Sequence, residues 1–217
     1  MQRFQQLAGK RPADAARVNI GAVLRVTPIK DVKTMLQAFA LAKAKAPGLK
    51  LWIMGPLDED EAYAQECFAL VKTLELTDVE FTGQVDVREY LGRMDMLLLT
   101  SISEGQPLAI LEGFAAHVPV IATDVGNCAG LICGEQDDFG PAGEIVHIMN
   151  TEEIADAILK MAQDRELRLQ MGENGYCRVM AGYRLEQMQK AYRKLYHSFA
   201  AELPEAWTEE APQCASS

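Results

Sequence analysis

Short apolar runs alternate along the chain with longer segments whose apolar residues recur every three or four positions. Residues 18–24, 49–54, 79–82, 94–100, 118–123 and 143–148 read as strands, because each is a brief run rich in aliphatic side chains and bounded by turn residues. Between them, residues 32–46 carry Met35, Leu36, Phe39 and Ala42 on one helical face, and Pro47-Gly48 ends that helix. Residues 59–76, 87–93 and 107–116 read as further helices, and residues 128–132 as a single helical turn. After the last strand come three helices, over residues 152–163, 166–181 and 185–201. The first ten residues resemble the tail of a helix, and residues 204–217 form a polar, loose tail.

Repeated strand–helix units predict an α/β fold: a Rossmann-like parallel sheet of about six strands with helices on both faces. The expected organisation is a lead-in over residues 1–17, one domain over 18–201 and a tail over 202–217. Right-handed crossovers place every loop that follows a strand at one edge of such a sheet. Residues 25–31, 55–60, 83–86, 100–106 and 124–127 are therefore expected to line one crevice.

The chemistry concentrates there. Glu104 and Glu112 stand eight positions apart in a segment that leaves a buried strand and enters a helix. Pro107 suits the first helical position, where its missing N–H costs nothing. The amides of Leu108 and Ala109 then lie among the unpaired donors of the first turn and favour an anion. Glu112 falls one turn deeper on the same face, behind the small Ala109. A carboxylate repels phosphate but accepts two O–H bonds from a vicinal diol. Phosphate at the tip and a diol one turn further describe a nucleotide. Arg25 at the end of the first strand and Lys30 before the next helix open on the same edge, where both can converge on phosphate; alone, the pair reads as two surface cations on a solvated loop.

Other features are weaker. Gly55-Pro56 is a turn whose glycine could let backbone approach a ligand, and Gly83 is similar. Asp58-Glu59-Asp60 reads as the acidic first turn of a helix rather than a metal site. His117 reads as a helix terminator in a left-handed conformation rather than a catalyst. Neither G-x-x-x-x-G-K-[ST] nor G-x-G-x-x-G occurs, which weakens ATPase and dinucleotide readings.

Composition narrows the classes. With 31 acids against 21 Lys plus Arg the net charge is -10, which argues against broad nucleic-acid or anionic-membrane binding. The five cysteines are odd in number and lack a C-x-x-C, so reduced thiols in a cytoplasmic protein are expected. No signal peptide is visible, and no apolar run approaches the ~20 residues needed to span a bilayer.

These residues resemble the C-terminal, donor-binding half of a GT-B glycosyltransferase of family GT4. The shared pieces are the strand ending in Arg25 with Lys30 following, Phe81-Thr-Gly83, Ser103-Glu-Gly-Gln-Pro-Leu-Ala-Ile-Leu-Glu112 and Pro119-Val-Ile-Ala-Thr-Asp-Val-Gly126. The resemblance covers residues 18–196. More narrowly, Arg25-Val-Thr-Pro-Ile-Lys-Asp31 is similar to the Pel exopolysaccharide glycosyltransferases (the PelF group), in which an Asp also replaces the glycine common after the lysine. Gln106 and His117 depart from the commonest family residues, Phe or Tyr and Gly, and Gln106 bears on sugar-side contacts.

The resemblance implies roles. Arg25 and Lys30 would hold the diphosphate of the leaving nucleotide, and Glu104 would contact the transferred sugar. Glu112 would bond the ribose hydroxyls, with the amides of Gly105, Gln106, Pro107-linked Leu108 and Ala109 around sugar and phosphates. The loop at Gly83 and Gln84 would present backbone to the base. It further implies a retaining transfer with no metal and no cofactor, a UDP-sugar donor as substrate, and a polysaccharide or sugar acceptor bound by an N-terminal domain that this chain lacks. The expected protein is about twice as long or more, with the helix over residues 185–201 packing toward the missing domain, and a membrane-associated complex is compatible with the Pel likeness. A non-catalytic nucleotide-binding module, and a GT-B nucleotide-sugar epimerase or phosphorylase, remain alternatives.

Overall fold

The computed structural model describes residues 17–134 and 137–202. The expectations for residues 1–10 and 204–217 lie outside the described residues. Six strands, β1 (Val18–Val23), β2 (Leu49–Met54), β3 (Val79–Gly83), β4 (Met96–Leu99), β5 (Val120–Thr123) and β6 (Gly143–Val146), form one sheet in the order β3-β2-β1-β4-β5-β6. All neighbouring pairs are parallel, so the α/β expectation is met. The order reverses between β1 and β4, the place at which an open parallel sheet forms its binding crevice.

The helices are α1 (Val32–Lys45), α2 (Glu61–Thr73), α3 (Val87–Leu91), α4 (Leu108–Ala115), α5 (Cys128–Cys133), α6 (Thr151–Gln163), α7 (Arg165–Gly182) and α8 (Leu185–Glu202). Every residue of β4 and β5 is buried, as expected of parallel strands covered on both faces. The α1 face of Met35, Leu36, Phe39 and Ala42 is wholly buried and shares its core with Ile154, Ile158 and Met161 of α6. Residues through Met180 make one compact unit, and those from Ala181 a second that contains α8.

Two boundaries differ from expectation for identifiable reasons. The second helix starts at Glu61 because the Asp60 carboxylate takes the N-cap and accepts from the Tyr63 amide at 3.0 Å. Glu59 therefore lies before the helix and is free to pair elsewhere. Pro107 is not the first helical residue: it is the N-cap of α4, with an extended ψ of 120°, and Leu108 opens the helix. His117 is left-handed at φ 55°, as its terminating role requires, and its ring stacks on Tyr176 at 3.9 Å and bonds Glu173 at 2.9 Å.

Candidate functional site

The walls of the crevice are set by backbone pairing that continues past the strands. Leu24 N–H donates to Met54 O and Val26 N–H to Pro56 O, each at 3.0 Å, so the loops after β1 and β2 run side by side. Gly55 makes this possible: its φ is 148°, and a Cβ there would stand 1.8 Å from the Leu24 carbonyl oxygen. The glycine thus answers to the neighbouring strand, although it also lines the crevice.

The loop after β1 tightens into a 3-10 turn, Pro28–Lys30, and Asp31 follows at φ 47°. Its carboxylate caps α1 by accepting from the Thr34 amide at 3.4 Å. The end of β4 braces this turn from the other side. The Thr100 hydroxyl lies 3.0 and 3.1 Å from the carbonyl oxygens of Lys30 and Asp31, and the Ile102 amide donates to Ile29 O at 2.9 Å. So fixed, the Lys30 ammonium pairs with Glu104 Oε1, which also accepts from Ser101 Oγ at 2.7 Å. Both members of the ion pair are mostly buried, with side-chain exposures of 18% and 12%. Arg25 is more open and its Nη1 donates to both oxygens of Glu59, at 2.6 and 2.8 Å.

Below the turn, α4 presents its N-terminus to the same space. The amides of Leu108 and Ala109 have no acceptor among the described residues. Glu112 likewise has no hydrogen-bonding or ionic partner among them, and burial raises its carboxyl above the ordinary carboxylate range. A half-buried acid without a partner beside free helix amides is an arrangement awaiting a ligand that offers both hydroxyls and an anion.

These groups surround one cleft of about 480 Å³. Arg25, Lys30 and Glu104 line it, as do Gln84, Gln106, Pro107, Leu108, Ala109 and Glu112. Two expected members, Gly83 and Gly105, are not among the lining residues. The loop over residues 124–127 does not reach it either, contrary to expectation. It supports the site from behind: the Asn127 amide donates to Gly105 O at 2.9 Å, and a Cβ on Gly126 would stand 2.1 Å from Glu104 O. With Gly126 also at φ 54°, Gly126→Ala is expected to displace the Glu104 segment and cost about 1–3 kcal/mol, read as a lower melting temperature. Ser101 and Val85 lie in loops expected to line the crevice, although neither was given a role, and sequence reasoning missed the apolar lining of Val87 and Leu99. The signal for Ser101 was its place three residues before Glu104 on the same loop.

Cys67, Cys128, Cys133 and Cys177 are free thiols. Burial pushes the Cys67 and Cys128 thiols up to about 11, so neither is a ready nucleophile. Among the described residues no group of three or more His, Cys, Asp or Glu side chains is arranged to hold a metal ion, and no helix is long and apolar enough to cross a membrane.

Comparison with known proteins follows the same lines. The family described as Glycosyl transferases group 1 matches residues 7–178. N-acetyl-alpha-D-glucosaminyl L-malate synthase of Bacillus anthracis is 32% identical over 171 residues, 78% of this chain and 42% of its own length. The chain spans about half the length of the curated relatives it matches. The crystal structure of the C-terminal domain of the group 1 glycosyl transferase LpcC from Francisella tularensis is similar at a TM-score of 0.69 and 25% identity, over 85% of this chain and 92% of that one. The structure of Anabaena HepE in complex with UDP and glucose shares the fold, with a TM-score of 0.72 at 20% identity over 90% of this chain and 52% of that one. A GT-B-type parallel sheet with an acid- and cation-lined crevice at its switch point, together with a family match spanning most of the sequence, makes this chain a member of the group 1 glycosyl transferases.

Proposed function

We propose that the chain is the donor-binding half of a retaining GT4 glycosyltransferase that takes a sugar from UDP and delivers it to a polysaccharide. The observation that carries this reading is Glu112: a half-buried carboxylate with no partner among the described residues, one turn below the open amides of Leu108 and Ala109 and in the same cleft as Lys30 and Arg25. Ribose hydroxyls satisfy the carboxylate, and the diphosphate takes the helix amides and the two cations. Gln84, Val85 and Val87 line the cleft and offer a partly apolar wall for a base. Glu104, held by Lys30 and Ser101, faces the sugar. The donor is then a substrate, and the reading calls for no resident cofactor or metal.

Breaking the bond between sugar and diphosphate builds negative charge on the departing oxygen. Fixed cations and amides aimed at that oxygen lower the barrier without reorganising. The UDP and glucose held by HepE support a UDP donor, and two relatives, 25% and 29% identical, described as glycosyltransferases of capsular polysaccharide and of lipopolysaccharide core biosynthesis support a polysaccharide product. The similarity of residues 25–31 to the Pel group supports an exopolysaccharide as that product. Acceptor binding belongs to a second domain in a longer protein, and sugar transfer by this chain alone is expected to be poor.

Glu112→Ala tests the reading. Loss of two charge-assisted hydrogen bonds to ribose is expected to weaken UDP binding by roughly 10- to 100-fold, at about 1.5–3 kcal/mol for such bonds. Calorimetric titration reads this directly, and unchanged affinity would remove Glu112 from the nucleotide site.

A further inference from the structure

Each cation of the cleft is already engaged by a carboxylate, but the two pairs are built differently. Lys30 and Glu104 both line the cleft, whereas Arg25 lines it and its partner Glu59 does not. Glu59 takes only Nη1, with both of its oxygens, at 2.6 and 2.8 Å. No partner among the described residues takes Nε or Nη2 of Arg25. Glu59 in turn stands on fixed ground. It immediately precedes Asp60, the N-cap of α2, and its loop is tied to the loop of Arg25 by the Val26–Pro56 hydrogen bond and by the close fit of Gly55 under Leu24.

We propose that Glu59 is a positioning residue for Arg25: it grips Nη1 from outside the cleft and leaves the Nε–Nη2 edge of the guanidinium for the diphosphate of a bound nucleotide. A planar guanidinium can hold a carboxylate on one nitrogen and a phosphate on its other edge at once. At 55% side-chain exposure, Arg25 without Glu59 would have many rotamers to give up on binding. Glu59 removes that freedom beforehand, which is affinity gained by preorganisation. The opposite behaviour is also chemically defined: a competing anion would mask Arg25 until phosphate displaced it, and its removal would tighten binding. The sign of the effect separates the two.

The proposal rests on the reading that Arg25 holds the diphosphate, and the experiment separates the failure of either. UDP and uridine are titrated into the chain and into Glu59→Gln, Arg25→Ala and the double variant. Exposed ion pairs are weak, so Glu59→Gln is expected to weaken UDP by roughly 3- to 10-fold. Uridine affinity and melting temperature stay unchanged, and in the Arg25→Ala background the second substitution adds nothing. Equal or tighter UDP binding by Glu59→Gln, with Arg25→Ala weakened, overturns the positioning role. So does an equal loss for uridine, which marks a general structural effect. Undiminished UDP binding by Arg25→Ala, or no UDP binding by the unaltered chain, overturns the underlying assignment instead.

Discussion

In the complete enzyme, Lys30→Ala is expected to lower turnover by about 10²–10³-fold, equivalent to roughly 3–4 kcal/mol of transition-state stabilisation. Arg25→Ala is expected to lose turnover in the same direction. The larger claim falls on Lys30 because of where it sits. Its side chain is mostly buried, its turn is clamped by Thr100 and Ile102, and its ammonium already has one donor committed to Glu104. An ammonium has three donors, so two remain for oxygens of a departing diphosphate. In a site partly closed to water such donors act with little screening. The loss should appear in kcat more than in KM, since charge on the leaving oxygen grows toward the transition state. Glu104 keeps its bond from Ser101 in the variant, so the loop retains one anchor. Wild-type-like steady-state rates in both variants would remove the diphosphate assignment.

The largest expected effect on stability lies away from the cleft. Arg178→Met is expected to cost about 3–5 kcal/mol, because it strips the Asp137 carboxylate of its countercharge and takes a donor from the Leu131 and Gly140 carbonyls. Arg178 on α7 is only 3% exposed in its side chain. Its Nε and Nη2 bond the Asp137 carboxylate at 2.7 and 2.9 Å, and Nη2 also reaches Gly140 O at 2.6 Å. Nη1 reaches Leu131 O at 3.0 Å and Ile132 O at 3.3 Å, where it serves carbonyls at the end of α5 that the helix itself cannot bond. Gly134 is left-handed at φ 74°, and a Cβ there would stand 1.9 Å from Nη2, so the guanidinium occupies the space that any side chain would need.

The same pair sets a pH dependence. The guanidinium holds the Asp137 carboxyl below its ordinary value of 3.8. A depressed acid contributes stability that is fully present above the unfolded value and is lost as pH falls through the folded one. Urea unfolding at neutral pH and below the carboxylate range should therefore show a steeper acid loss for the unaltered chain than for Arg178→Met. Equal slopes and equal midpoints would show that the network contributes nothing.

Most of the sheet was legible because parallel strands buried on both faces are almost pure aliphatic runs. Ile20, Ile53, Leu98 and Ile121 come from four such runs and all reach zero exposure. The edge position of Arg25, Lys30, Glu104 and Glu112 was legible for the same reason: once strands alternate with helices, crossover handedness puts their loops together. Pairing between loops was not. Nothing in a linear pattern says that Arg25 meets Glu59, 34 residues away, or that Lys30 meets Glu104, 74 away. Those contacts depend on how far each loop leans, which Gly55 and Gly126 set by close backbone approach. The interior face of α7 was equally opaque. It buries Arg168, Gly172, Gly175 and Arg178 together with only two apolar side chains, Met171 and Val179, so hydrophobic periodicity has little to report. Gly172 and Gly175 are there because a Cβ would stand 2.3 Å from His117 O and 2.5 Å from the Phe114 ring.

The proposed nucleotide site brings a diphosphate to Arg25 and Lys30 and a ribose to Glu112. The decisive measurement is calorimetric titration of the chain with UDP, GDP and ADP, with Glu112→Ala alongside. Saturable binding of UDP over GDP and ADP is expected, with its loss or severe weakening in Glu112→Ala. Absence of binding by all three nucleotides, or UDP binding indifferent to Glu112, would contradict it.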